Sequence, residues 1–219
     1  MGLSAVASAE VDAPSLSALR HWVFDLDGTL TEAVHDFVLI RRALDIPLDA
    51  DILAHLAALP ASEAQDKHAW LMQHERALAE AATAATGAVA LVRALHARGC
   101  RLGILTRNAR ELAVVTLAAI GLADVFDAAD VLGRDEAAPK PAPDGLHYFA
   151  ARWAVPPAQM VMVGDYRFDL ECGRAAGTHT LLVNCVGDGW PALATWRSPD
   201  CAAVLAGLDA APVQAAYSA

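Results

Sequence analysis

The stretch HWVFDLDGTLT, residues 21–31, places two aspartates two positions apart at the end of an apolar run. The apolar residues Val23 and Phe24 indicate a buried strand, and the glycine that follows the aspartates indicates a turn. Neighbouring carboxylates repel each other and resist losing water, so the pair Asp25 and Asp27 is unfavourable unless a cation, a helix end or solvent compensates. On its own, this pair is also typical of a solvated turn.

Composition restricts the class of protein. The chain has 219 residues, 56% hydrophobic and 19% charged, so it can bury a large core in one domain with an insertion. Its net charge of −10 disfavours nucleic acid and anionic membranes as partners. No apolar run approaches the ~20 residues that cross a bilayer, no signal peptide is evident, and the four cysteines form no CxxC pair. We therefore expect a cytoplasmic protein.

Strands and helices alternate after Gly87. Four short segments read as strands, namely residues 101–106, 127–132, 160–165 and 179–184. Helices are expected between them, because apolar residues recur there at helical spacing and glycines follow at the helix ends. Short apolar strands that alternate with helices are typical of a parallel sheet. Together with the first strand they predict an α/β fold with a Rossmann-like parallel sheet and helices on both faces.

The segment of residues 32–87 has an all-helical pattern and separates the first strand from the others. We interpret this segment as a helical cap inserted into a discontinuous α/β core. The core would then comprise residues 20–31 and 88–219. Residues 1–19 are rich in alanine and serine without a clear period, and we expect them to form a loose leader.

Polar residues collect where the predicted strands end. Two aspartates follow the first strand, Thr106 ends the second, and Asp165 ends the strand of residues 160–165, with Asp169 four positions later. Lys140 lies in a proline-rich loop before another helix. Ligands of an open parallel sheet bind at the carboxyl ends of its strands, so we expect these side chains at one edge.

Each of these residues also has an ordinary structural explanation, as part of a turn, a helix start, a strand end or a solvated loop. Their shared position at the ends of successive strands instead favours a site. Clustered carboxylates suit Mg²⁺, and this cation with Lys140, Thr106 and turn amides suits a phosphoryl group. Asp25 and Asp27 project on the same side, so one can attack phosphorus while the other moves the proton of the leaving group.

Four ordered motifs make the sequence resemble the haloacid dehalogenase-like hydrolase superfamily. The stretch DLDGT of residues 25–29 matches its first motif, and Thr106 matches its second. Lys140, followed by Pro141, matches the third, and GDYRFD of residues 164–169 matches the fourth. The helical insertion is similar to the cap of subfamily I members, which include phosphoglycolate-phosphatase-like enzymes, although it is shorter than the usual bundle.

The resemblance implies a role for each matched residue. Asp25 would be the nucleophile that forms an aspartyl-phosphate, and Asp27 would act as general acid, then as general base, with its main-chain carbonyl on the metal. Mg²⁺ would be the cofactor. The implied metal ligands are Asp25, Asp27, Asp165 and Asp169. Thr106 and Lys140 would hold the phosphoryl oxygens. The predicted phosphate-binding residues are Asp25, Leu26, Thr106, Arg107 and Lys140.

The composition of the cap bears on the substrate. From residue 33 to residue 87, four basic residues stand against eight acidic ones, a net charge of −4 that disfavours polyanions and favours a small metabolite monophosphate. Arg107 follows the predicted phosphate-binding threonine and either pairs with a second anionic group of the substrate or is a solvated loop residue. Phe37 and Trp70 are expected in the core of the cap.

The sequence therefore predicts a Mg²⁺-dependent phosphatase, a phosphoric monoester hydrolase that acts on a small phosphorylated metabolite. Two alternatives stay open. A phosphosugar mutase or phosphotransferase would use the same residues but needs a tightly closing cap, which the short insertion disfavours. A non-catalytic protein that binds a phosphorylated metabolite would have little need of the nucleophile. No oligomeric state is predicted.

Overall fold

A six-stranded parallel sheet forms the centre of the fold. The computed structural model describes residues 14–185, 187 and 189–209, so most of the predicted leader lies outside the described residues. The strands are β1 His21–Phe24, β2 Arg101–Leu105, β3 Val131–Leu132, β4 Met160–Gly164, β5 His179–Leu182 and β6 Trp196–Arg197. They lie in the order β3-β2-β1-β4-β5-β6, and every neighbouring pair is parallel. The predicted α/β fold class is confirmed.

Helices cover both faces of this sheet. The α-helices of the described residues are α1 Phe37–Ala43, α2 Ile52–Ala57, α3 Ala61–Glu80, α4 Ala88–Ala97, α5 Arg110–Ala119, α6 Asp144–Trp153, α7 Arg167–Ala176 and α8 Cys201–Asp209. Trp22 and Phe24 of β1 pack with α4, α5 and α8, whereas Val23 packs with α6 and α7 on the opposite face. Successive side chains of a strand alternate between faces, so β1 must be apolar throughout to lie between two helical layers.

The register of the central strands brings their ends together. Phe24 of β1 pairs with Ile104 of β2 and with Val163 of β4. Because these strands are parallel, the residues that follow them emerge at the same edge of the sheet. This edge is where Asp25 and Thr106 begin the loops after β1 and β2.

Helices α1, α2 and α3 form a separate layer above this edge. They enclose a small apolar cluster of their own that consists of Ile40, Leu44, Ile46, Leu56 and Leu71. The long helix α3 also packs directly on α5 of the core, through Ala79 against Ala109 and Leu112. The layer is therefore held both by its own core and by apolar contact with the sheet domain.

Two neighbouring stretches of chain connect this layer to the sheet domain. Thr31 forms an antiparallel bridge with Ala84. The Glu32 N–H donates to the Thr83 carbonyl at 3.0 Å, and the Ala85 N–H donates to the Leu30 carbonyl, also at 3.0 Å. We call this paired crossing, residues 30–32 with 83–85, the neck. We propose that the neck bounds the cap, in line with the predicted division at residues 31/32 and 87/88.

The C-terminal part of the described chain differs from expectation in one element. The sixth strand was not predicted, because β6 has only two residues and no alternating pattern. Among the described residues, no helix is long and apolar enough to cross a membrane.

Candidate active site

The loop after β1 turns sharply and carries the paired aspartates. The Asp25 N–H donates to the Val163 carbonyl of β4 at 2.9 Å, which ties the loop to the sheet. Gly28 has a φ of +89°, and a Cβ added there would lie 2.6 Å from Asp165 Oδ2. Glycine is needed here both for the backbone conformation and for the close approach of this carboxylate. The Leu26 side chain is fully buried, so only its main chain can contact a phosphoryl group.

Three carboxylates from two loops and a helix meet at this edge. Carboxylate oxygens of Asp25, Asp165 and Asp169 all lie within 4.8 Å of one another. Lys140 Nζ donates to Asp25 Oδ1 at 2.5 Å and to Asp169 Oδ1 at 2.6 Å. Thr29 Oγ1 donates to Asp165 Oδ1 at 2.8 Å. The structure thus brings together four predicted site residues, namely Asp25, Lys140, Asp165 and Asp169, which come from three separate parts of the chain.

The electrostatics of this carboxylate cluster favour a bound cation. Burial, with the charges of Asp25 and Asp169, raises the pKa of Asp165 to about 7. Burial also raises the pKa of Asp169 to about 6, although Lys140 opposes the rise. Burial lowers the pKa of Lys140, but Asp169 and Asp25 outweigh that effect and raise this pKa above its ordinary value. One lysine does not compensate three clustered carboxylates, of which Asp25 and Asp169 are buried, so an oxygen-loving divalent cation fits this donor set.

Asp27 lies in the same cavity but outside the carboxylate cluster. Its Oδ2 is 3.5 Å from Thr106 Oγ1. Burial raises the pKa of Asp27, an effect that His35 opposes and Asp25 reinforces. A carboxyl group with a raised pKa keeps its proton more readily than an ordinary aspartate, which suits a proton donor. The three clustered carboxylates do not include that of Asp27, and its expected metal contact through the main-chain carbonyl stays a prediction.

The loop after β2 joins the cap to the core. Thr106 is buried, and its Oγ1 accepts a hydrogen bond from the Asn108 N–H at 3.0 Å. Arg107 Nη2 lies 2.5 Å from Asp51 Oδ2 of the cap, and the guanidinium carbon is 4.8 Å from the centroid of the Phe168 ring. Arg107 is therefore already paired within this chain, although its side chain stays partly exposed.

A cavity of about 510 Å³ lies between the cap and this edge of the sheet. Every predicted site residue except Leu26 lines it, namely Asp25, Asp27, Thr106, Arg107, Lys140, Asp165 and Asp169. Phe37 also lines the cavity and is 55% exposed, so its expected place in the cap core is wrong. The reason is that α1 buries only Ile40 and turns its other apolar residues outward. Trp70 does pack against the cap core.

Some residues that shape the site were not predicted from the sequence. Asn184 follows β5 with a φ of +56°, and its Nδ2 donates to the carbonyls of Gly28 at 2.9 Å and Thr29 at 3.0 Å. It therefore fixes the turn that carries the paired aspartates, and its position at a strand end was the available signal. His35 and Asp51 reach the cavity from cap loops, and no local pattern in the sequence places them there.

Comparison with known proteins defines the class to which this fold and site belong. The family model described as haloacid dehalogenase-like hydrolase matches residues 19–177, which include all four motifs. The chain belongs to this family of hydrolases. The predicted family and enzyme class are confirmed.

Individual relatives extend this assignment. A haloacid dehalogenase-like hydrolase domain-containing protein of Arabidopsis thaliana is 28% identical over 194 residues, 83% of this chain and 78% of that protein. The phosphoglycolate phosphatase of Escherichia coli K12 is 38% identical over 85 residues, 38% of this chain but only 33% of that enzyme. The crystal structure of a hydrolase from Pseudomonas syringae has a TM-score of 0.71 at 23% identity, covering 87% of this chain and 98% of that one. This structural likeness establishes the fold.

Proposed function

We propose that this protein is a Mg²⁺-dependent phosphatase that hydrolyses the phosphomonoester of a small metabolite through an aspartyl-phosphate on Asp25. The observation that carries the proposal is the position of the Asp25 carboxylate. It accepts a hydrogen bond from Lys140 at 2.5 Å and lies within 4.8 Å of the carboxylates of Asp165 and Asp169, in a cavity that Asp27 also lines. A nucleophile, cations and a separate proton donor within one cavity are what phosphoryl transfer to a carboxylate requires.

The proposed cation site uses oxygen ligands only. The carboxylates of Asp25, Asp165 and Asp169 and the main-chain carbonyl of Asp27 would hold Mg²⁺, in keeping with its preference for oxygen. When bound, Mg²⁺ neutralises charge on the phosphoryl oxygens and lowers their repulsion with the attacking carboxylate. Thr29, which donates to Asp165, would hold one of these ligands in place.

The proposed reaction has two steps that share one proton carrier. In the first step, an Asp25 oxygen attacks phosphorus while the bond to the leaving oxygen breaks and protonated Asp27 donates its proton to that oxygen. In the second step, Asp27 accepts a proton from water, whose oxygen attacks phosphorus and releases inorganic phosphate and the Asp25 carboxylate. Lys140 and Thr106 would bind the phosphoryl oxygens in both steps.

The cavity size fits a small substrate. A volume of about 510 Å³ is in the range of sites for small molecules, and the net charge of −4 on the cap disfavours polyanions. Phosphoglycolate is the substrate in the name of the Escherichia coli relative, which shares only one third of its length with this chain.

The test is continuous release of inorganic phosphate from p-nitrophenyl phosphate, with Mg²⁺ or with EDTA. We expect Asp25→Asn to lower kcat at least about 10³-fold, because the amide cannot form the covalent intermediate. Turnover that survives EDTA or this substitution would refute the mechanism. A protein that transfers phosphate to a second substrate, or only binds it, would not sustain release into water.

A further inference from the structure

Aromatic rings from both cap and core line the cavity beyond the carboxylate cluster. On the cap side, the Phe37 ring is 55% exposed and stacks on the His35 ring at a centroid distance of 5.8 Å and an interplanar angle of 15°. On the core side, Tyr166 is 52% exposed and meets Phe168 edge-to-face at 5.3 Å and 86°. Exposed rings grouped around a cleft gain free energy when a ligand covers them.

The arginine side chains that line this part of the cavity already form hydrogen bonds within the protein. Outside the carboxylate cluster, the arginine and lysine side chains that line the cavity among the described residues are Arg41 and Arg107. Arg107 is bound to Asp51 at 2.5 Å. Arg41 of α1 donates through Nε to the Ala50 carbonyl at 3.0 Å and through Nη1 to the Phe37 carbonyl of its own helix at 3.2 Å, so it holds α1 to the loop that contains Ala50.

Acidic side chains also line this part of the cavity. Asp49, Asp51 and Glu75 line the cavity, and Glu75 is bound by Arg134 at 3.0 Å. A second anionic group on a substrate would have to displace Asp51 from Arg107 and lie near these carboxylates, at a cost in desolvation and repulsion. An uncharged group meets no such cost.

We infer that the substrate carries an uncharged leaving group with an aromatic ring, which packs against Phe37 of the cap while its phosphate occupies the carboxylate and Lys140 site. This inference rests on the proposed phosphatase function and specifies its substrate class. It also assigns Arg107 to cap binding rather than to recognition of a substrate carboxylate.

Three primary alkyl phosphates test the inference. Their leaving alcohols are similar in basicity but differ in the group that would contact the cavity lining, which is aromatic, aliphatic or anionic. They are 2-phenylethyl phosphate, n-propyl phosphate and 2-carboxyethyl phosphate. We expect kcat/KM for the phenylethyl ester to exceed that for the propyl ester about tenfold. The carboxyethyl ester should be the poorest of the three. If the carboxyethyl ester were hydrolysed as well as the phenylethyl ester, the inference would be wrong and an arginine would accept the anion.

A matched pair of variants on α1 locates the effect. Phe37→Ala should bring the ratio of phenylethyl to propyl ester close to one. Leu39→Ala removes a side chain that is 46% exposed on the same helix but does not line the cavity, and it should keep the wild-type ratio. A ratio unchanged by Phe37→Ala, with folding verified by circular dichroism, would overturn the inference. Absence of Asp25-dependent hydrolysis of all three esters would instead refute the proposed function.

Discussion

Ionisation of Asp165 should destabilise the metal-free protein as pH rises. Burial raises the pKa of this carboxyl from its ordinary value of 3.8 to about 7. Between these pH values the unfolded chain has released a proton that the folded protein still holds, so each unit of pH favours unfolding by about 1.4 kcal/mol. Over the whole range the cost is about 4 kcal/mol. Asp165→Asn should abolish this loss of stability with rising pH, because the amide does not ionise and its oxygen can still accept the hydrogen bond from Thr29.

Urea unfolding in EDTA between pH 5 and pH 8 measures this effect. The free energy of unfolding of Asp165→Asn minus that of the wild type should increase by about 2–3 kcal/mol over this interval, since most of the ionisation lies within it. Mg²⁺ at about 100 times its Kd should then stabilise the wild type by about 2.7 kcal/mol, and the variant by less.

An exposed aspartate outside the cavity provides the control. Asp135→Asn should shift the free energy of unfolding by an amount that does not change over the same pH interval. The reasoning fails if the difference between wild type and Asp165→Asn is also constant, or if it moves in favour of the wild type as pH rises.

Three further substitutions test one close contact and two ion pairs of the protein. Gly28→Ala should lower the free energy of unfolding by about 1–3 kcal/mol and the rate of phosphate release at least tenfold. The reasons are the φ of +89° and the new Cβ, which would lie 2.6 Å from Asp165. A variant with the activity and the urea midpoint of the wild type would contradict this prediction. Arg134→Met should lower the free energy of unfolding by about 3–5 kcal/mol, because it leaves buried Glu75 without the guanidinium that binds it at 3.0 Å. Arg76→Met, which removes an exposed ion pair of α3, should cost less than about 1 kcal/mol in the same urea assay, and equal losses would refute the distinction.

The strand ends could be predicted from sequence because two simple rules operate there. Apolar runs such as β1 and β4 lie between two helical layers, and parallel register then places the residues after them at one edge. Asp25, Thr106 and Asp165 are found by this reasoning alone. Lys140 required the proline-rich loop and the ordered motifs, because no strand ends beside it in the sequence.

The cap side of the cavity could not be predicted in the same way. The apolar positions of α1 fit a helix that is buried on one face. Apolar residues that line a cavity, however, recur along a helix at the same spacing as residues of a core. Phe37 therefore looked like a core residue although it is more than half exposed, at 55%. The pairing of Asp51 with Arg107 joins residues 56 positions apart and depends on how the cap packs on the sheet domain. The roles of the individual site residues stay predictions.

The neck has a consequence for how such a protein can be altered by recombination. The two stretches of the neck lie side by side, with Thr31 bridged to Ala84, where the polypeptide leaves and re-enters the sheet domain. The segment between them could therefore be exchanged for another without moving the sheet. Topology therefore makes the cap interchangeable, but packing does not. Leu112 of α5 and Ala109, which precedes this helix, lie against α3, and a transplanted segment that failed to cover them would leave an apolar surface exposed to solvent. Chimeras should therefore carry α3 and α5 together.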